Sequence, residues 1–172
     1  MEKMIIDNDT FFADVLRVLE EGKQVTIPVK GYSMLPFIRG GKDLVVLEKA
    51  GADLKADDIV LFHVGPRDGG RYVMHRILSI DGDAVDIMGD GIPKTHEHVR
   101  RSQILAKAVE ILRAGKRSVD PYSPGQLRLV HFGQRLRPVR RYILFIYRHL
   151  PWNRNWIKEN MNLEPEGRKI NR

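Results

Sequence analysis

The chain has no cysteine. That absence excludes disulfides, thiolate-bound zinc and a cysteine nucleophile, leaving hydroxyl, imidazole and carboxylate groups to carry any chemistry. Long apolar runs are missing too. The longest wholly apolar or aromatic stretch is Tyr142 to Tyr147, far short of the ~20 residues a bilayer-spanning helix needs. Met1 to Asn8 holds only Met4-Ile5-Ile6 as an apolar stretch, so no secretory signal is read there and the expected location is the cytoplasm. Internal repeats and low-complexity segments are absent. The Asp-Gly and Gly-Gly dipeptides are not phosphate loops, because none opens a helix with a following lysine.

What is present suits one well-buried domain with an appendage: 172 residues, 42% hydrophobic and 30% charged. The net charge of +7 is unevenly placed. Residues 1–112 carry 15 Lys or Arg against 18 Asp or Glu, whereas residues 113–172 carry 14 against 4. All the positive excess lies in the last third, a distribution that points to a tail meeting an anionic surface.

Along the chain, Asp9 or Thr10 can cap a helix whose Phe12, Val15, Leu16 and Leu19 repeat at helical spacing and which Gly22 ends. Val25, Ile27 and Val29 then alternate as in a half-buried strand. Leu44 to Leu47 and Ile59 to Phe62 read as buried strands, the second entered from Asp57-Asp58. Asp68-Gly69-Gly70 turns into a strand over Arg71 to Ile80. Asp81-Gly82-Asp83 closes a second hairpin, with Ala84 to Met88 returning, and Ile104 to Leu112 supplies a last strand. Arg113 to Asp120 is polar and turn-like. Ser123, Pro124 and Gln126 have the makings of a helix start, and Pro138 divides that helix from a second one over Val139 to Leu150. The expectation is a mainly β domain over 24–112, preceded by an amphipathic helix within 1–23 and followed by a basic helical extension over 113–172.

Lys30-Gly31-Tyr32-Ser33-Met34-Leu35-Pro36 follows the first strand and sets a lone hydroxyl in a turn. Gly31 permits unusual backbone angles and Pro36 stiffens the exit, conditions that suit a fixed hydroxyl. A serine attacks only when a base can take its proton, and Tyr72-Val73-Met74-His75-Arg76-Ile77 supplies an imidazole that titrates near neutrality. Alone, Ser33 reads as a turn serine and His75 as a satisfied strand histidine.

Together, the order Gly-Tyr-Ser-Met-Leu-Pro, Asp-Asp-Ile-Val, Met-His-Arg-Ile and Met-Gly-Asp-Gly resembles the signal peptidase and LexA-like serine peptidase superfamily. The similarity runs from about Thr26 to Ile111. It implies a compact LexA/signal-peptidase-like β fold and a serine endopeptidase acting on a specific peptide or leader. Within that superfamily one branch uses a lysine base and another, that of archaeal and endoplasmic-reticulum signal peptidases, a histidine followed by arginine. No lysine occurs between Lys55 and Lys94, so the resemblance makes Ser33 the nucleophile and His75 the general base. It further implies an orienting carboxylate at Asp90 or Glu97. Gly89-Asp90 keeps the family's context and is preferred, although Gly91 stands where an asparagine is expected. Gly31, Met34 and Pro36 are expected at the substrate, an oxyanion is expected on backbone N–H groups including that of Ser33, and Thr26 to Val29 is expected to pair with an extended peptide.

No cofactor is expected. His96-Glu97-His98 could set two imidazoles on one strand face, but no third spaced ligand accompanies them. In the tail, Arg135, Arg137, Arg140, Arg141, Arg148 and Arg154 surround apolar residues. That pattern suits either peripheral contact with an anionic membrane on its inner surface or a helix packed on the β domain. Nucleic acid is not an expected partner, because no recognition motif accompanies the charge. The alternative to an enzyme is an inactive peptidase-like module that binds peptide, anionic membrane or nucleic acid through the basic region.

Overall fold

The computed structural model describes residues 8–66, 70–92, 96–135 and 142. An antiparallel sheet dominates. Helix α1 spans Asn8–Glu20, and the strands are β1 (Val25–Pro28), β2 (Leu44–Lys49), β3 (Ile59–Val64), β4 (Arg71–Asp81), β5 (Ala84–Met88), β6 (His96–Arg100), β7 (Ile104–Arg113) and β8 (Arg117–Val119). Helix α2 (Pro124–Arg135) follows. The strand order is β1-β2-β7-β3-β4-β5-β6, with β8 pairing on β7. No described helix is long and apolar enough to cross a membrane.

The sheet is buried on both faces at its centre, which explains the unbroken apolar run in β3. Ile59 and Leu61 enter one cluster with Val15 and Leu19 of α1, Val45 and Leu47 of β2, and Ala106 and Ala108 of β7. Val60 and Phe62 point the other way, toward Ile77, Val85, Ile87 and Val99. A strand buried on both faces reads as continuous hydrophobicity, whereas one covered on one side alternates. Helix α1 lies against the first cluster, and Phe12 stacks on Tyr72 of β4 with ring centroids 4.1 Å apart.

Two expectations need correction. Arg113 to Asp120 is not merely a turn: Arg117–Val119 forms β8, with Ile111 opposite Val119 and Arg113 opposite Arg117. The sheet therefore continues past residue 112, the expected end of the β domain. Its polar sequence hid a strand held by the ladder with β7 and by Val119, the one side chain of the three that packs against the core. Strand β6 was likewise absent from the chain-order reading, since His96-Glu97-His98 carries little apolar alternation. Helix α2 starts where Ser123-Pro124 places it, buries Val130, and sets His131 Nε2 2.7 Å from Oδ2 of Asp57 in the turn ahead of β3. The expected Pro138 kink and the helix over 139–150 lie outside the described residues, apart from Tyr142.

Candidate active site

Gly31 turns the chain off the end of β1 with φ +81°, a conformation that L side chains rarely adopt. Hydrogen bonds from Leu35 N–H to Tyr32 O (3.1 Å), Phe37 N–H to Met34 O (3.0 Å) and Ile38 N–H to Met34 O (2.9 Å) wind the next residues into tight turns. Met34, Leu35 and Ile38 are buried and anchor the loop in the core; Ser33 is left half-buried at its rim and Pro36 is exposed. Met34 is therefore not where a substrate could touch it. At 2% exposure it packs with Ile27, Val45 and Ile59, and the family-like Ser-Met step supplies an anchor, not a contact surface.

His75 sits on β4, buried to 4% exposure. Its Nδ1 lies 3.1 Å from Glu97 Oε2 on β6. Strand β5 runs between the two, with Arg76 opposite Met88 and Ile87 opposite Glu97. The contact is made past the end of β5, where Gly89 has no side chain to intervene. Glu97 also accepts a hydrogen bond from Arg71 Nη2 at 3.2 Å. The His75 hydrogen bond and the charges of His75 and Arg71 outweigh the opposing effect of burial, holding the Glu97 carboxyl below its ordinary range.

Gly89-Asp90-Gly91 joins His75 to the serine loop. A Cβ on Gly89 would stand 2.7 Å from the Ser33 carbonyl oxygen and 2.9 Å from His75 Nε2, so these two groups approach the same point. Gly91 N–H donates to that Ser33 carbonyl at 2.6 Å. Asp90 faces elsewhere: Arg76 Nε and Nη2 reach its two oxygens at 2.9–3.2 Å, and both side chains are 2% exposed. Of the two carboxylates expected near the imidazole, Glu97 is the one that contacts it, while the preferred Asp90 pairs with Arg76. Alternation along β4 is the physical reason, because consecutive residues project to opposite faces, sending His75 to Glu97 and Arg76 to Asp90. Arg76 Nη1 also donates to the Asp57 carbonyl at 2.8 Å, tying the acidic pair ahead of β3 into the same buried lock.

The Ser33 hydroxyl forms no hydrogen bond with His75, and the Ser33 N–H makes none among the described residues. Catalytic hydrogen bonds are often long before substrate arrives, so an unmade one does not by itself disqualify Ser33 and His75 as partners. The arrangement brings the main chain of the serine loop and the imidazole Nε2 together at Gly89, with a carboxylate holding Nδ1.

Arg71 lies against the site although it was not singled out in the sequence, and Gly89, noted only as the context of Asp90, is where the two segments approach. Arg71 was legible in principle: it lies four residues before His75 on one strand, hence on the same face. The two flanking histidines stand apart from this chemistry. His98 Nδ1 pairs with Asp86, His96 is exposed, and no group of three or more metal-ligating side chains occurs among the described residues. Comparison of the chain with family models, curated proteins and solved structures returns no match.

Proposed function

We propose that the protein is a serine endopeptidase of Ser-His type, with Ser33 as nucleophile, His75 as general base and Glu97 as the carboxylate that orients it. The observation carrying this reading is the 3.1 Å contact of His75 Nδ1 with Glu97, which leaves Nε2 facing the serine loop across Gly89. In the proposed reaction Ser33 Oγ attacks a peptide carbonyl carbon while His75 Nε2 takes its proton. Glu97 keeps the Nδ1–H tautomer and stabilises the imidazolium. His75 then protonates the leaving amine as the C–N bond breaks, giving an acyl ester on Ser33. Water, deprotonated by His75, hydrolyses that ester. The Ser33 N–H is suited to the transient oxyanion.

Substrate would lie extended along β1, which closes one edge of the sheet, pairs with β2 alone among the described residues, and leads directly into the serine loop. The finer reading of the fold, a LexA/signal-peptidase-like β fold, rests on the serine loop, His75-Arg76 and Gly89-Asp90. The basic chain beyond α2 would bring this peptidase to an anionic membrane surface on the cytoplasmic side. The unmade Ser33–His75 hydrogen bond favours a second reading, a module of the same fold that binds peptides without cleaving them.

A serine-reactive phosphonate probe decides between the two. Labelling of the wild-type chain that is lost in both Ser33→Ala and His75→Ala supports the enzyme. An unlabelled wild type, or equal labelling of Ser33→Ala, rejects it.

A further inference from the structure

We infer that the outward face of α2 is a docking surface that seats on anionic lipid. The large apolar side chains left exposed among the described residues are Leu129, Phe132 and Tyr142, at 58%, 61% and 54%. Two of the three stand on α2, three residues apart and so neighbours on its surface. Val130, 1% exposed, fixes which side of the helix faces inward. At 3.6 residues per turn, Arg128, Phe132 and Arg135 lie on the side turned away from it, with Leu129 at their border. The outer face thus carries an apolar pair between two arginines, and both arginines are exposed. The one ion pair that α2 makes among the described residues is His131 with Asp57, so no carboxylate there neutralises Arg128 or Arg135.

Charge and size select the occupant. From Pro121 to Lys158 the chain has eight Lys or Arg and no Asp or Glu, a run complementary to an extended anionic surface. Two apolar side chains of ~200 Å² or less each fall well short of the ~800 Å² per partner that a stable protein interface buries, which argues against a second copy or a protein groove. Lipid asks for less area at one point. Apolar side chains of an interfacial helix reach the boundary between headgroups and acyl chains, while arginine stems lie along it and lift their guanidinium groups to the phosphates. The inference rests on the proposed recruitment of the basic chain beyond α2 to an anionic membrane, and names the element that enters it.

The test uses the full chain and vesicles of phosphatidylcholine with phosphatidylglycerol. Because the chain has no cysteine, Gly125→Cys carries a single bimane label seven residues before Phe132 on the same side of α2, where a Cβ meets nothing within 4 Å. Ala84→Cys, exposed at the start of β5, carries the same label as a control. Nitroxide-bearing lipid should quench the label at 125 and not the one at 84. Leu129→Ser with Phe132→Ser, both at exposed positions, should fold, lose that quenching and bind about 10-fold or more weakly, since two apolar side chains no longer leave water. Full binding by this double variant with the label at 125 unquenched means that the basic chain docks without α2; it overturns the inference and leaves the recruitment standing. Quenching at 125 that persists when residues 136–172 are removed rejects recruitment by the tail and supports the α2 face. Absence of vesicle binding overturns both. A lipid-free dimer that the double variant abolishes assigns the face to a second copy and likewise overturns the inference.

Discussion

Replacing Gly89 by alanine tests whether the base and the serine loop meet where the structure places them. The added methyl would stand 2.7 Å from the Ser33 carbonyl oxygen and 2.9 Å from His75 Nε2, each several tenths of an ångström inside ordinary contact. Neither neighbour yields easily. The carbonyl is main chain held by Gly91 N–H, and the imidazole is buried and tied to Glu97. Overpacking of this kind costs about 1–3 kcal/mol. For a chain of this size that lowers Tm by about 2–4 °C per kcal/mol, a loss the fold should survive. Separation of nucleophile and base by a fraction of an ångström to an ångström should slow reaction with the phosphonate probe by about 10–100-fold. The assay pairs the labelling rate with a thermal melt. Gly125→Ala, where a Cβ meets nothing within 4 Å, is the control and should label normally. If Gly89→Ala labels at the wild-type rate with an unchanged melt, the convergence of Ser33 and His75 on Gly89 is wrong.

Glu97→Gln should reduce the labelling rate by about 10²-fold or more while Asp90→Asn, if it folds, changes it far less, since Glu97 hydrogen-bonds the imidazole and Asp90 pairs with Arg76. Asp90→Asn should instead cost about 3–5 kcal/mol of stability in urea unfolding by stripping Arg76 of its buried partner charge. Asp43 gives an acid signature. Burial raises its pKa, but hydrogen bonds from Arg39 and Ala114 N–H and the charge of Arg113 bring it down to about 2 from an ordinary 3.8. A depressed carboxyl stabilises the fold above its unfolded pKa, so a contribution on the order of 2 kcal/mol should disappear as pH falls from about 4 to 2, and Asp43→Asn should flatten that part of the stability curve. Salt-sensitive binding to anionic liposomes should vanish when residues 136–172 are removed. The cut belongs after Arg135, because a cut after Leu112 would strip β8 from the sheet.

Where apolar spacing carried the information, the fold was legible in the chain. Ala84–Met88 was read with the bounds it has, and α1 begins within two residues of its expected cap. Strand β8 escaped because Arg117-Ser118-Val119 gains its order from the backbone of β7, a partner that side-chain pattern does not reveal. In the candidate site, the serine loop and histidine were visible as local motifs. The choice between Asp90 and Glu97 was not local: it depends on which residues of β5 and β6 face each other, and on the alternation that turns Arg76 away from His75. The Gly-Asp context drew attention to Asp90 for good reason, but its task is to hold the arginine beside the base.

The Gly89-Asp90-Gly91 clasp has one more consequence. Its three residues contact the imidazole edge, the Arg76 lock and the Ser33 carbonyl in turn, so the serine loop and His75 are held by a third segment and not by a bond to each other. Deleting the hydroxyl removes none of these ties. The Ser33→Ala chain should therefore keep the serine loop in place, and on the proposed reading it is the form in which an extended peptide could be captured uncleaved and its sequence read.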